Sequence, residues 1–341
     1  MNFDRGGATD ILSGDSQTLA SLYQLVSEDI AALREFLHGE FASTEPFVNE
    51  LLEHLSRFQG KQVRPACLFL SGRCFGEIGN DHIKCAAVVE LIHTATLVHD
   101  DLLDAAQIRR RVETIHSRYG DRAAILLGDI IYARGFVIST EVENAARLLA
   151  NCTMEICIGE MMQVGNAGNL QLLEEQYFEI IHRKTAILYG LSCRLGAMLA
   201  GATEDQAAAM EQFGNQLGVA FQIIDDSLDV FGDQETVGKS LGTDLANGKM
   251  TLPLIRLRDG LDVEQRESLL KLLEGHREMD RTEFHHEVVR WLDEFEILDE
   301  VRERAQQVVA NALKSLHVAA PRCEARDQFE QLARFVIERE R

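Results

Sequence analysis

HTATLVHDDLLD, residues 93–104, sets three aspartates and two histidines into a run of leucine, alanine, threonine and valine that otherwise reads as the inside of a helix. On a helix, residues four apart lie about 40° apart and one turn along. Asp100 and Asp104 therefore project side by side with Asp101 flanking them, and His93 falls on nearly the same stripe. FQIIDDSLD, residues 221–229, repeats the pattern with Asp225, Asp229 and flanking Asp226, preceded by Gln222. Two carboxylates ~4 Å apart repel by about 4 kcal/mol at an effective dielectric of about 20, so a partly buried pair needs a counter-charge. Such hard, all-oxygen sets suit Mg²⁺, which keeps several waters and shares itself with substrate phosphates. One stretch of this kind would pass for a solvated face in a chain of formal charge −21; two, each embedded in apolar sequence, would not.

The sequence around these stretches reads as an all-α chain. Four prolines stand at 46, 65, 253 and 321, with long spans rich in alanine, leucine, glutamate and arginine between them. Apolar residues at three- and four-residue spacing predict helices over 17–38 and 47–57, with an apolar span at 66–75. Asp81 can open the helix that carries the first aspartate motif. A long helix begins near 121, a turn falls at NAGNL (166–170), and one run covers 172–200. Thr203 with Gln206 fits a capping box at the start of 204–230. The Gly-rich stretch 231–250, FGDQETVGKSLGTDLANGKM, reads as a functional loop. No composition shift marks a second domain, so residues 1–341 are expected to form a single one.

The acidic balance argues against nucleic acid and against an anionic membrane surface as partners. Seven cysteines sit in apolar contexts with no CxxC pair and read as reduced core thiols. No apolar run reaches the ~18 residues of a membrane span, and the N-terminus lacks a signal-peptide pattern. A cytoplasmic location is expected. The cations that could meet phosphates lie at the breaks: Lys61 and Arg64 in GKQVRP, Arg109 and Arg110 after the first aspartate motif, Lys184 in HRKTAILYG, and Lys239 and Lys249 at the Gly-rich loop. Arginine suits bidentate phosphate contacts and lysine a point contact.

Read in order, GKQVRP, ELIHTATLVHDDLLDAAQIRR, GD at 128–129, GEMMQ at 159–163, KT at 184–185, FQIIDDSLD and GKSLGTDLANGKMTLP resemble the trans-isoprenyl diphosphate synthases, or polyprenyl synthetases. The resemblance covers roughly 55–260 and is most like the long-chain members. It implies a bundle of long antiparallel helices around a central cavity, a homodimer, and condensation of isopentenyl diphosphate with an allylic diphosphate. By the same resemblance Asp100, Asp104 and Asp225 are the main Mg²⁺ ligands, with Asp101, Asp226 and Asp229 in support. Lys61, Arg64, His93 and Arg110 match the residues that hold isopentenyl diphosphate. Arg109, Lys184, Lys239 and Lys249 match those that grip the allylic diphosphate, with Thr185 and Gln222 beside them.

Three departures from the family pattern stand out. Gln59 replaces a glycine and Gln62 an arginine in the first motif; Arg111, Val112 and Glu113 replace the usual Gly-x-Pro after the arginine pair; and the C-terminus ERER is mixed in charge. His99, His116, Glu160 and Gln163 lie near the site in sequence and read as satisfied polar residues, and His285, His286 and Trp291 as structural ones. Ala95 and Thr96, just before Asp100, are small, which by resemblance leaves room for a long polyprenyl chain. A floor lower down would instead give a geranylgeranyl or farnesyl product. A class I terpene cyclase and a non-catalytic subunit of a heteromeric synthase are the rival readings. The cyclase needs no second diphosphate pocket, and such subunits typically lose an aspartate motif that this chain keeps.

Overall fold

Thr203 shows how local chemistry starts the helices: its hydroxyl accepts from the Gln206 amide at 3.3 Å while the Gln206 side chain accepts from the Thr203 amide at 2.9 Å. This is the reciprocal capping box that the sequence predicts. The computed structural model describes residues 21–40, 42–58, 60–231, 242–275 and 279–338, and the chain is all-α. The helices are α1 (Ser27–Glu40), α2 (Pro46–Leu55), α3 (Val63–Phe75), α4 (Asn80–Leu103), α5 (Ile115–Tyr119), α6 (Asp121–Ser139), α7 (Ala145–Gly165) and α8 (Glu174–Ile181). A π-helical turn, His182–Ala186, joins α8 to α9 (Ile187–Leu199), so the run expected over 172–200 is interrupted where Lys184 and Thr185 sit. Then follow α10 (Glu204–Phe231), α11 (Thr243–Ala246), α12 (Leu252–Gly260), α13 (Val263–Glu274), α14 (Arg281–Glu294), α15 (Ile297–Ala319) and α16 (Glu324–Glu338).

Among the described residues the sole extended pair is a two-residue ladder, β1 (Ile108–Arg109) with β2 (Val112–Glu113). Its turn places Arg110 at φ 51° and Arg111 at φ 65°. Two successive positive φ values are the backbone of a tight hairpin that normally recruits Gly or Asn. Two arginines accept that strain here, and the segment that lacks the usual Gly-x-Pro is a hairpin that aims the arginine pair.

Two apolar clusters hold the helices together. The larger draws on α3, α4, α6, α9 and the first part of α10; the smaller on α8, the last part of α10 and α12 to α15. Helix α10 runs through both, contributing Phe213, Leu217 and Ala220 to the first and Ile223, Ile224 and Val230 to the second. Each fully buried leucine or phenylalanine is worth about 1.5–3 kcal/mol, so α10 is fixed along its length and the second aspartate motif lies in its second-cluster part, between Ile224 and Val230.

Candidate active site

Both aspartate motifs occupy the ends of long helices. Asp100 and Asp101 are in the last turn of α4 with Asp104 as its C-cap, and Asp225 to Asp229 lie in the last two turns of α10. A helix C-terminus carries partial negative charge, so acids there cost about 0.3–1 kcal/mol each unless a cation offsets them. Neither helix has a basic residue in its last turn. The cations come from elsewhere in the chain.

Lys249 Nζ lies 3.1 Å from an Asp104 oxygen and 3.1 Å from Asp244, while Asn247 reaches Asp104 at 3.4 Å. The Asp244 amide donates to Asp229 Oδ2 at 3.0 Å. A continuous path, Asp104–Lys249–Asp244–Asp229, thus joins the two aspartate motifs. Lys184 pairs with Glu160 and stands 3.7 Å from Asp100. Arg109 Nε donates to Asp101 Oδ1 at 2.6 Å in an ion pair whose carboxylate is nearly closed to solvent. Burial pushes the Asp100 carboxyl up to about 6 against the opposing pull of Lys184, and it raises Asp101 against Arg109. A carboxylate shifted that way is short of positive charge.

That shortfall, and the all-oxygen donors, fit a divalent cation. Among the described residues no three imidazole, thiolate or carboxylate groups close on one point by themselves. Mg²⁺ does not require that, since one or two carboxylates with waters and substrate phosphates complete its shell. Asp100, Asp104 and Asp225 are the residues that could supply those oxygens.

The other arginine of the pair turns away. Arg110 Nη1 donates to the Phe58 carbonyl at 2.7 Å and its guanidinium packs on Gly60, next to Lys61 and Arg64. Arg64 stacks over the Tyr189 ring at 4.5 Å and leaves its buried Nε without a hydrogen-bond partner. Gln62 accepts from Arg34 Nε at 2.8 Å, so a guanidinium reaches that position. Burial, with Arg64, Arg110 and Arg109 adding to it, holds the His93 imidazole well below its ordinary pKa and therefore neutral. One turn earlier, burial raises the Glu90 carboxyl while Arg64 and Arg110 oppose it. The hairpin thus sends Arg109 to the aspartates and Arg110 to the GKQVRP loop.

Lys184 and Thr185 are placed by two glycines. A Cβ on Gly159 would fall 2.5 Å from the Lys184 nitrogen, and one on Gly218 2.6 Å from the Ala186 Cα. The π turn is clamped between α7 and α10 only because both positions lack a side chain. Across that contact Thr185 Oγ1 donates to Gln222 Oε1 at 2.9 Å and Gln222 Nε2 to Asp226 Oδ1 at 2.7 Å, and Tyr177 donates to Asp226 Oδ2 at 2.6 Å. Asp226 is buried, and burial followed by the charge of Asp244 pushes it up to about 7. Lys239 lies outside the described residues.

Ala95 is fully buried in the larger cluster, and Thr96 turns its hydroxyl back to the His93 carbonyl at 2.7 Å. His99 and His116 bond the carbonyls of Ile125 and Ala106 at 3.1 and 2.7 Å, and His285 bonds that of Val230 at 2.9 Å. Sequence reasoning missed Asp244, Glu90 and Tyr177 and gave Glu160 no role beside Lys184. Asp244 was legible as the one acid in GTDLANGK; Glu90 and Tyr177 looked like ordinary helix residues.

Fold and site together are those of an all-α protein whose two carboxylate clusters face a set of lysines and arginines from distant parts of the chain. The sequence pattern of the polyprenyl synthetase family matches residues 45–291, and the chain belongs to that family. It is 31% identical to the octaprenyl diphosphate synthase of Escherichia coli over 95% of this chain and 99% of that one. It is 34% identical to a short chain isoprenyl diphosphate synthase of Methanothermobacter thermautotrophicus, over 84% of this chain and 89% of the relative. The crystal structure of a polyprenyl synthase from Caulobacter crescentus CB15, complexed with calcium and isoprenyl diphosphate, superimposes with a TM-score of 0.87 at 32% identity, covering 97% of this chain and 99% of that one.

Proposed function

We propose that this protein is a Mg²⁺-dependent trans-prenyltransferase that condenses isopentenyl diphosphate head-to-tail with an allylic diphosphate and releases pyrophosphate. The observation that carries the reading is the Asp104–Lys249–Asp244–Asp229 path, which brings both aspartate motifs and a lysine to one place. Bound through Asp100, Asp104 and Asp225, with Asp101, Asp226 and Asp229 in support, Mg²⁺ would supply the Lewis acidity that neutralises a leaving pyrophosphate. Arg109, Lys184 and Lys249, with Lys239, hold the allylic diphosphate, and Thr185 and Gln222 steady that end of the site. Lys61, Arg64, Arg110 and neutral His93 hold isopentenyl diphosphate.

The allylic C1–O bond breaks and its electron pair leaves with pyrophosphate. The double bond of isopentenyl diphosphate then attacks the cationic C1, and the proton on its C2 passes to pyrophosphate or a nearby acceptor. The apolar walls around the carboxylates keep out the water that would quench the cation. Pyrophosphate release measured with the purified chain tests this: it should require both diphosphates together with Mg²⁺, and release from an allylic diphosphate alone would favour a cyclase.

The product is read as a long-chain polyprenyl diphosphate, because Ala95 and Thr96 add no bulk beside Asp100. Each added unit buries more CH₂ groups, worth up to about 0.8 kcal/mol apiece, so extension continues until something blocks it. A homodimer is the expected assembly. Leu126, Ile130 and Val137 on α6 and Met154, Ile158 and Met161 on α7 form exposed apolar stripes at helical spacing, too many for a lone surface. Residues 1–341 are read as one synthase domain. The seven free thiols suit a reducing cytoplasm, and no helix of the described residues is long and apolar enough to cross a membrane.

A further inference from the structure

Both oxygens of Asp226 are engaged by side chains, one of them buried. Tyr177, 4% exposed, gives its hydroxyl to Oδ2, and Gln222 gives its amide to Oδ1. Thr185 completes the chain by donating to Gln222. The two ends of this chain, Tyr177 and Thr185, belong to one stretch, α8 and the π turn that follows it. The middle, Gln222 and Asp226, belongs to α10. The segment carrying Lys184 is therefore fastened at two points to the segment carrying Asp225.

Such a fastening is a poor way to gain stability. A buried carboxylate costs more than a well-packed apolar residue of like volume, and the Tyr177 ring already packs edge-on against Phe178 at 5.5 Å between centroids. What the hydrogen bonds add is direction. Gln222 and Asp226 lie four residues apart on one face of α10, about 40° from each other, and Asp225 lies about 100° round from Asp226. With α10 already seated in its two clusters, holding this pair fixes the local facing of its last turns and thereby where Asp225 points.

We propose that Tyr177 is a positioning residue: by holding Asp226 it sets the orientation of Asp225 and Asp229 relative to Lys184, and so tunes the divalent-cation and diphosphate site without touching either ligand. The inference rests on the reading above that the second aspartate motif serves a metal. Removing a partner of a metal-site carboxylate typically weakens metal affinity about 10–100-fold.

The test is a titration of the full chain with Mn²⁺ in the presence of inorganic pyrophosphate, following free Mn²⁺ by electron paramagnetic resonance. Wild type should bind and Asp225→Ala should lose most of that binding. Tyr177→Phe keeps the ring and should raise the half-saturating Mn²⁺ concentration about tenfold, with the KM for isopentenyl diphosphate unchanged. The double variant Tyr177→Phe/Asp226→Asn should be no weaker than the weaker single variant, because both act through one contact. If Tyr177→Phe proves unfolded by circular dichroism, Gln222→Leu, which removes the other donor to Asp226, must give the same rise. Unchanged Mn²⁺ affinity in the folded variants, or single effects that multiply in the double, overturns the proposal. If Asp225→Ala binds Mn²⁺ as wild type does, the metal reading of the second motif is itself wrong and this inference falls with it.

Discussion

Asp226 carries a measurable signature of its surroundings. Its carboxyl is pushed from the ordinary aspartate range to about 7, first by burial and then by Asp244. The folded state therefore holds this proton more tightly than the unfolded chain. The resulting stability is fully present below the unfolded value near pH 4 and is lost as pH rises through about 7. In the absence of metal, Asp226→Asn should melt higher than wild type at pH 8, and that advantage should shrink at pH 5. A difference independent of pH by calorimetry would contradict the burial argument. Ala95 provides a second test at this scale: Ala95→Phe should shorten the dephosphorylated products seen by chromatography, whereas an unchanged length distribution would mean that the growing chain does not pass it. Asp100, Lys184 and His93 were legible as candidates because polar groups in apolar sequence are conspicuous, and the family resemblance implied their roles. Tyr177 was not, since a tyrosine on an amphipathic helix looks the same whether its hydroxyl meets water or a carboxylate.

At the scale of elements, the decisive contact is the π turn held between Gly159 and Gly218. Periodicity over 172–200 gave one continuous helix, because a single wider turn shifts the apolar pattern by one residue and leaves most of the window intact. The capping box at Thr203 was readable because its two partners are local; the glycine contacts were not, because their partners lie on other helices. Gly218→Ala would place a Cβ 2.6 Å from the Ala186 Cα. Overpacking of this kind costs about 1–3 kcal/mol, so the melting temperature should drop by several degrees, with a larger loss of turnover as Lys184 and Gln222 move apart. A variant with wild-type turnover would show that the close approach is dispensable. The arginine hairpin followed the same rule: the absent Gly-x-Pro was visible in the sequence, but the two positive φ values that replace it were not.

At the scale of the molecule, the all-α class was clear from few prolines and long periodic spans, and the repetition of the aspartate motif marked both stretches as more than solvated faces. What joins them, Lys249 between Asp104 and Asp244, needed coordinates because 145 residues separate Lys249 from Asp104. The exposed stripes on α6 and α7 predict that wild type sediments as a dimer and that Leu126→Glu with Met161→Glu gives monomers; a double variant still dimeric would place the interface elsewhere. The most direct test of the whole account is prenyl transfer itself. The purified chain is incubated with farnesyl diphosphate and radiolabelled isopentenyl diphosphate, with Mg²⁺ or with excess EDTA, and the lipid-soluble products are extracted. Label should enter products longer than the primer with Mg²⁺ and not with EDTA. No extractable label with both substrates and Mg²⁺ present, or equal incorporation in EDTA, would contradict it.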